Sequence, residues 1–231
     1  MEHPPAETLA RVPGVGDELV LRRVGADLEI VGNGTFLMDT RDGRSERLLV
    51  RAALDLLVGH RLHLLLGGLG VGFSLAEALA SPDVARVVVV EREPAVLDWG
   101  RTHLAPFSGN GLDDPRVHAV QEDLVTWLAG GPPGERGFDA LCLDVDNGPG
   151  WTVTEGNARL YGDAGLAAAA RWLRPGGVLT VWSAHDSPSF ADALRRHLVD
   201  VHTLAVPVPR GEPDVVYVAR RRGGPGAPHR S

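Results

Sequence analysis

The sequence predicts an α/β fold, a doubly wound and mostly parallel sheet led in by a small N-terminal β meander. Three observations carry this. From about Ser45 onward helical and apolar strand patterns alternate, the texture of repeated strand and helix units. Runs such as Val87-Val88-Val89-Val90 are apolar on both faces, as a parallel strand covered by helices on each side must be. The first core run ends in Gly67-Gly68-Leu69-Gly70-Val71-Gly72 and passes straight into a helical pattern.

The elements follow in order. Leu19-Val20-Leu21, Leu28 to Val31 and Thr35 to Met38 are short β runs punctuated by Gly25-Ala26-Asp27 and Gly32-Asn33-Gly34, and the Asn-Gly pair is a hairpin signal. Glu46 to Val58 carries Leu48, Leu49, Ala52, Ala53 and Leu56 at helical spacing, and Leu62 to Leu66 is a buried strand. Then come helix 74–80, strand 87–90, helix 94–103, strand 117–120, helix 124–128, strand 140–143, helix 158–172, strand 178–182, helix 189–198 and a closing strand 215–219. Residues 1–44 therefore form a tail and meander, 45–220 a Rossmann-like domain, and 221–231 a disordered tail. The polar, proline-bearing first dozen residues and the Gly/Pro-rich last ten are expected to be mobile.

With 231 residues, 44% of them hydrophobic and 23% charged, the chain can bury a full core in one domain. A net charge of -7 argues against a nucleic-acid partner, and Arg220 to Arg222 is read as a solvated tail. No apolar run is long enough for a membrane span, and Met1-Glu2-His3-Pro4-Pro5 lacks the pattern of a secretory leader, so a cytoplasmic location is expected. Cys142 is read as a small buried hydrophobe. The nine histidines show no metal-ligand spacing, and no metal is expected.

The chemistry is expected at the carboxyl ends of the strands, where crevices of such sheets lie. Glycines at 67, 68 and 70 let the backbone bend and approach a ligand closely. Glu91 ends the next strand, twenty-three residues after Gly68, where a carboxylate can accept hydrogen bonds from ribose hydroxyls. The third strand runs into Glu122-Asp123, and Asp123 either accepts from an adenine amino group or caps the helix that follows. Asp144-Val145-Asp146-Asn147 follows the fourth strand; the carboxylates either bind a ligand, or Asp146-Asn147-Gly148 is an Asx-rich turn. Trp151, Tyr161, Trp182 and His185 fall just after the fourth and fifth strands, and each is either a ligand contact or a core or lid residue. His185 with Asp186 is a candidate base pair, or part of a capping loop.

Leu66 to Gly72, Val90-Glu91, Glu122-Asp123-Leu124, Phe138 to Asp144 and Leu173 to Leu179 resemble, in family order, the spermidine synthase family of the S-adenosylmethionine-dependent methyltransferase superfamily. The resemblance implies a transferase that moves a methyl or aminopropyl group to a small-molecule amine or hydroxyl. It also implies S-adenosylmethionine or its decarboxylated form as donor, and a homodimer. Gly67, Gly68, Gly70, Glu91, Glu122, Asp123 and Asp144 would bind the donor. Asp144 and Asp146 would be catalytic, with Asn147, Trp151, Tyr161, Trp182 and His185 near the acceptor. Two positions depart from the family pattern. Gly70 stands where the aminopropyltransferases carry a loop Asp, which makes the intact donor the better guess. Asn147 stands where they carry the Asp that deprotonates the amine, and an amide cannot accept that proton. The rival readings are a non-catalytic nucleoside-binding or scaffold protein on the same fold and, more weakly, an NAD-dependent oxidoreductase.

Overall fold

A computed structural model of the chain describes residues 6–16, 18–132, 137–149, 155–208 and 211–223. Two sheets are present. The first is an antiparallel meander of β1 (Ala6–Pro13), β2 (Glu18–Val24), β3 (Asp27–Gly32) and β4 (Thr35–Asp39) in that order. The sequence pattern showed three of these strands. Ala6–Pro13, expected to be mobile, pairs instead along the whole of β2, with a register shift between Thr8 and Ala10. Its residues are half-buried or exposed, so its backbone pairing holds it more than any apolar face, and an apolar-pattern reading passes over it.

The second sheet has seven strands in the order β10-β11-β9-β8-β5-β6-β7. They are β5 (Leu62–Gly67), β6 (Val84–Glu91), β7 (Val117–Gln121), β8 (Phe138–Leu143), β9 (Leu173–Ser183), β10 (Val199–Val206) and β11 (Asp214–Arg220). The first five pair in parallel, whereas β11 runs antiparallel to both β9 and β10. The strand order doubles back at β5 and β8, so the carboxyl ends of these two strands flank the crevice of the sheet.

Helices cover both faces. On one side α1 (Arg44–Leu56), α2 (Phe73–Ala80) and α3 (Pro94–Gly100) pack with the meander over Leu64, Leu66, Val87 and Val89. On the other, α4 (Leu124–Ala129), α5 (Ala158–Tyr161), α6 (Asp163–Trp172) and α7 (Pro188–His197) pack over Leu65, Val88, Leu141 and Leu179. Consecutive residues of each core strand thus serve opposite faces, and both faces need apolar side chains.

Three further expectations change. The single helix over 158–172 is broken at Gly162, whose extended backbone (ψ 173°) separates α5 from α6. β10 was not read as a strand because its side chains alternate between solvent and the sheet edge. Arg220 and Arg221 are not a solvated tail: the Arg221 N–H donates to Gly177 O at 2.8 Å, its guanidinium donates to Leu173 O, and Arg220 Nη2 donates to Gly176 O at 3.3 Å. Cys142 is buried as expected, and burial pushes its thiol up to about 12. Among the described residues no helix is long and apolar enough to cross a membrane, and no group of three or more His, Cys, Asp or Glu could hold a metal ion.

Candidate functional site

The glycine bend is built from positive-φ positions. Gly68 (φ 94°), Gly70 (φ 55°) and Gly72 (φ 102°) take backbone conformations that L side chains rarely adopt. A Cβ on Gly68 would also collide with the Asp144 carbonyl oxygen, so the bend and the end of β8 lie backbone to backbone. That closeness is fixed by hydrogen bonds from Gly68 N to Val90 O and from Asp144 N to Gly67 O, both 2.9 Å. A Cβ on Gly70 would meet only the Met38 sulfur of β4, at 3.5 Å, so the meander overhangs the bend.

Glu91 faces this bend from β6. Its Oε2 accepts from Leu69 N at 2.9 Å and its Oε1 from Glu93 N at 2.8 Å. A carboxylate has about four acceptor sites, so capacity remains for hydroxyl donors. Burial raises its pKa, against the lowering pull of the Leu69 and Glu93 N–H groups. Glu122 lies on the neighbouring strand end with its N–H bonded to Glu91 O at 3.1 Å, and its side chain is exposed. Asp123 is the N-cap of α4: its Oδ1 accepts from Thr126 N at 2.9 Å and Thr126 Oγ1 at 3.0 Å. The helix-capping alternative is therefore realised on one carboxylate oxygen.

Asp144 follows β8 on the side where Ala140 and Cys142 meet the α1 layer, since side chains alternate along a strand. Trp182 of β9 and Asp214 of β11 follow the same alternation, and Glu46 arrives from the first turn of α1. Ser45 Oγ fixes Asp214 by donating to its Oδ2 at 2.6 Å. Burial pushes Asp144 up to about 7, with the charges of Asp214 and Glu91 adding to it. Burial likewise pushes Glu46 up to about 8, helped by Asp144, Asp214 and Asp42. Carboxyls crowded away from water hold protons that isolated ones would lose. The Trp182 indole nitrogen is buried without a partner among the described residues.

The other predicted residues serve the loop after β8. Asp146 sits in a left-handed conformation (φ 53°), and its Oδ2 accepts from Asn157 Nδ2 at 2.7 Å. Asn147 O accepts from Ala184 N at 3.2 Å, which folds this turn back on the end of β9. Tyr161 is buried and donates to Val145 O at 2.6 Å. It lines, with Pro149, Ala158, Ser187 and Phe190, a cleft of about 400 Å³ whose lining includes none of the glycine-bend residues. His185 is exposed and lies 3.6 Å from Glu212, while Asp186 accepts from Tyr217 OH at 2.9 Å. The two are thus engaged with different partners. Trp151 lies outside the described residues.

Glu46, Asp214 and Met38 were not legible as site residues. In sequence Glu46 is an ordinary acid in a helix first turn, favoured there by the helix dipole. Asp214 opens a strand that had to be known to run antiparallel before its start could be placed at the carboxyl edge.

The sheet order and the small antiparallel sheet before it define an α/β protein of the spermidine synthase fold. No family model matches the chain. The chain is 39% identical over 166 residues to the polyamine aminopropyltransferase of Mycobacterium tuberculosis, covering 71% of this chain and 30% of that protein. It is 30% identical over 134 residues to putrescine N-methyltransferase 1 of Nicotiana tabacum, covering 57% of this chain and 33% of that one. The spermidine synthase from Thermotoga maritima superposes with a TM-score of 0.75 at 16% identity, over 95% of this chain and 75% of that one. The chain belongs to the spermidine synthase-like family. It spans about a third of the length of the curated relatives it matches.

Proposed function

We propose that the protein transfers an alkyl group, methyl or aminopropyl, from an adenosyl sulfonium donor to the amine of a small molecule. The observation that carries this is Asp144: its backbone carbonyl lies against the Gly68 bend, and its half-buried carboxyl is pushed up to about 7 by burial and by the charges of Asp214 and Glu91. Relatives named for aminopropyl and for methyl transfer share an amine acceptor by their names, which supports the acceptor class and leaves the transferred group open.

An S-adenosylmethionine-type donor supplies a carbon activated by its positive sulfur. Glu91 would accept the ribose hydroxyls, and the N–H groups of the glycine bend would line the nucleoside. Asp144 would hold the incoming amine in line and take its proton as nitrogen bonds to carbon and the C–S electron pair returns to sulfur. Asn147 cannot take that proton, and Asp146 is tied to Asn157, so Asp144 is the remaining base at this edge. Gly70 brings no carboxylate to the donor's tail, which favours the donor that keeps its own. The same reading makes the chain a cytoplasmic homodimer that meets its copy along the free meander edges, where Phe36 is 51% exposed.

The test is turnover with intact and decarboxylated S-adenosylmethionine against a panel of diamines, followed by mass spectrometry. Methylated or aminopropylated amine is expected. Tight binding of either donor with no product from any amine would favour the non-catalytic nucleoside-binding reading instead, for which Asn147 is the supporting observation.

A further inference from the structure

Glu93 stands at the N-cap of α3, a position where short side chains usually close the helix end, yet its side chain makes no cap bond. Instead Oε2 accepts from the backbone N–H of Val15 at 2.8 Å, seventy-eight residues away at the tip of the β1–β2 hairpin. Oε1 is held by the Arg92 guanidinium, from Nη2 at 3.0 Å and Nε at 3.3 Å. The guanidinium also underlies the tip, since a Cβ on Gly16 would lie 3.8 Å from Arg92 Nη2. The Glu93 carboxylate is only 16% exposed, so the contact is sheltered from water. Meanwhile the Glu93 N–H donates to Glu91 Oε1, and Glu91 Oε2 receives Leu69 N of the glycine bend.

Three consecutive residues thus join two structures that belong to separate sheets. Glu91 grips the glycine bend and Glu93 grips the hairpin tip, with one backbone N–H linking the two carboxylates. At its other end the meander touches the same bend through Met38 over Gly70. The tip carries Val15, 56% exposed. An exposed tip fixed by a charge-assisted bond opens more readily than a packed strand.

We infer that Glu93 is a latch: its bond to the Val15 N–H holds the hairpin tip at the rim of the donor crevice, and the nucleoside donor enters and leaves when that bond opens. The inference rests on Glu91 and the glycine bend being the donor site. Glu93 is a positioning residue, acting through the hairpin rather than on the donor.

The experiment uses the full chain, with Glu93→Ala and the milder Glu93→Gln. Hydrogen exchange of the Val15 amide is followed without donor, and the association and dissociation rates of S-adenosylmethionine, its decarboxylated form and methylthioadenosine are followed by stopped flow. Glu93→Ala should speed Val15 exchange and donor dissociation about tenfold each, with association also faster, and Glu93→Gln should fall between it and the parent. Faster Val15 exchange with unchanged donor rates would overturn the latch while leaving the donor site in place, as would unchanged Val15 exchange. Failure of the parent chain to bind any of the three ligands would overturn the donor reading, and the latch with it.

Discussion

In the proposed transfer Asp144, whose carboxyl is pushed up to about 7 by burial, would take the proton from the amine and return it to water within one turnover. Asp144→Asn should therefore abolish turnover while leaving donor affinity within a few-fold of the parent, measured by calorimetry beside a steady-state assay. Glu91→Ala should act the other way and weaken adenosyl binding by about 1 to 3 kcal/mol, because charge-assisted bonds to ribose are lost. Affinity unchanged in that variant would remove Glu91 from the donor site. Gly70 offers a gain-of-function test. Asp tolerates left-handed backbone better than most residues, and only the Met38 sulfur lies near a new Cβ. Gly70→Asp should shift the ratio of affinities at least tenfold toward the decarboxylated donor, read by competition binding. Of these residues, Glu91 and Asp144 were legible because strand ends are visible as the last apolar position before a polar one. Glu46 was not, because its burial depends on β8 and β11 meeting α1, which no local pattern carries.

The element that decides the site is the turn between β5 and α2. Gly68→Ala would add a methyl at φ 94° directly against the Asp144 carbonyl, so the bend must move away from β8. A loss of about 2 to 4 kcal/mol in stability and of most donor affinity is expected, checked by chemical denaturation and calorimetry. Elements with apolar periodicity on a covered face were read to within a few residues, as for β5, β8 and α7. Those at sheet edges, where polar and apolar side chains mix, were not. β1 and β10 lie at sheet edges where polar and apolar side chains both suffice, and the break between α5 and α6 rests on Gly162, a residue compatible with a continuous helix in sequence.

For the whole molecule the crowded carboxyls set how stability depends on pH. Glu46 and Asp144 have ordinary values of 4.5 and 3.8 and are raised to about 8 and about 7 in the fold. Between those limits the folded chain binds more protons than the unfolded one, so unfolding free energy falls as pH rises from about 5 to 8. In the other direction, Glu29 is held low by Arg41 and Arg22 despite its burial, and Asp114 by Arg116. Their contribution is lost as pH falls below the ordinary carboxylate range. An optimum near pH 5 follows, and Glu46→Gln should add about 1 to 2 kcal/mol at pH 8 and little at pH 5, measured by urea titration. The overall architecture was foreseeable because alternation, glycine placement and two-faced apolar runs all pointed the same way. The reversed direction of β11 was not, since a buried apolar run looks alike whichever way it is threaded.

That reversed strand ties the residues around Arg221 to the edge that carries the candidate site. Parallel strands deliver their last residues to the crevice, but β11 delivers its first, Asp214, and then continues away to fasten Arg221 onto β9. A protease cut before Asp214 would therefore leave one of the clustered acids on a short fragment held by pairing with β9 and β10 and by the buried Val216, Tyr217 and Val218, and a shortened gene product ending there would lose that acid and a core strand in the same stroke.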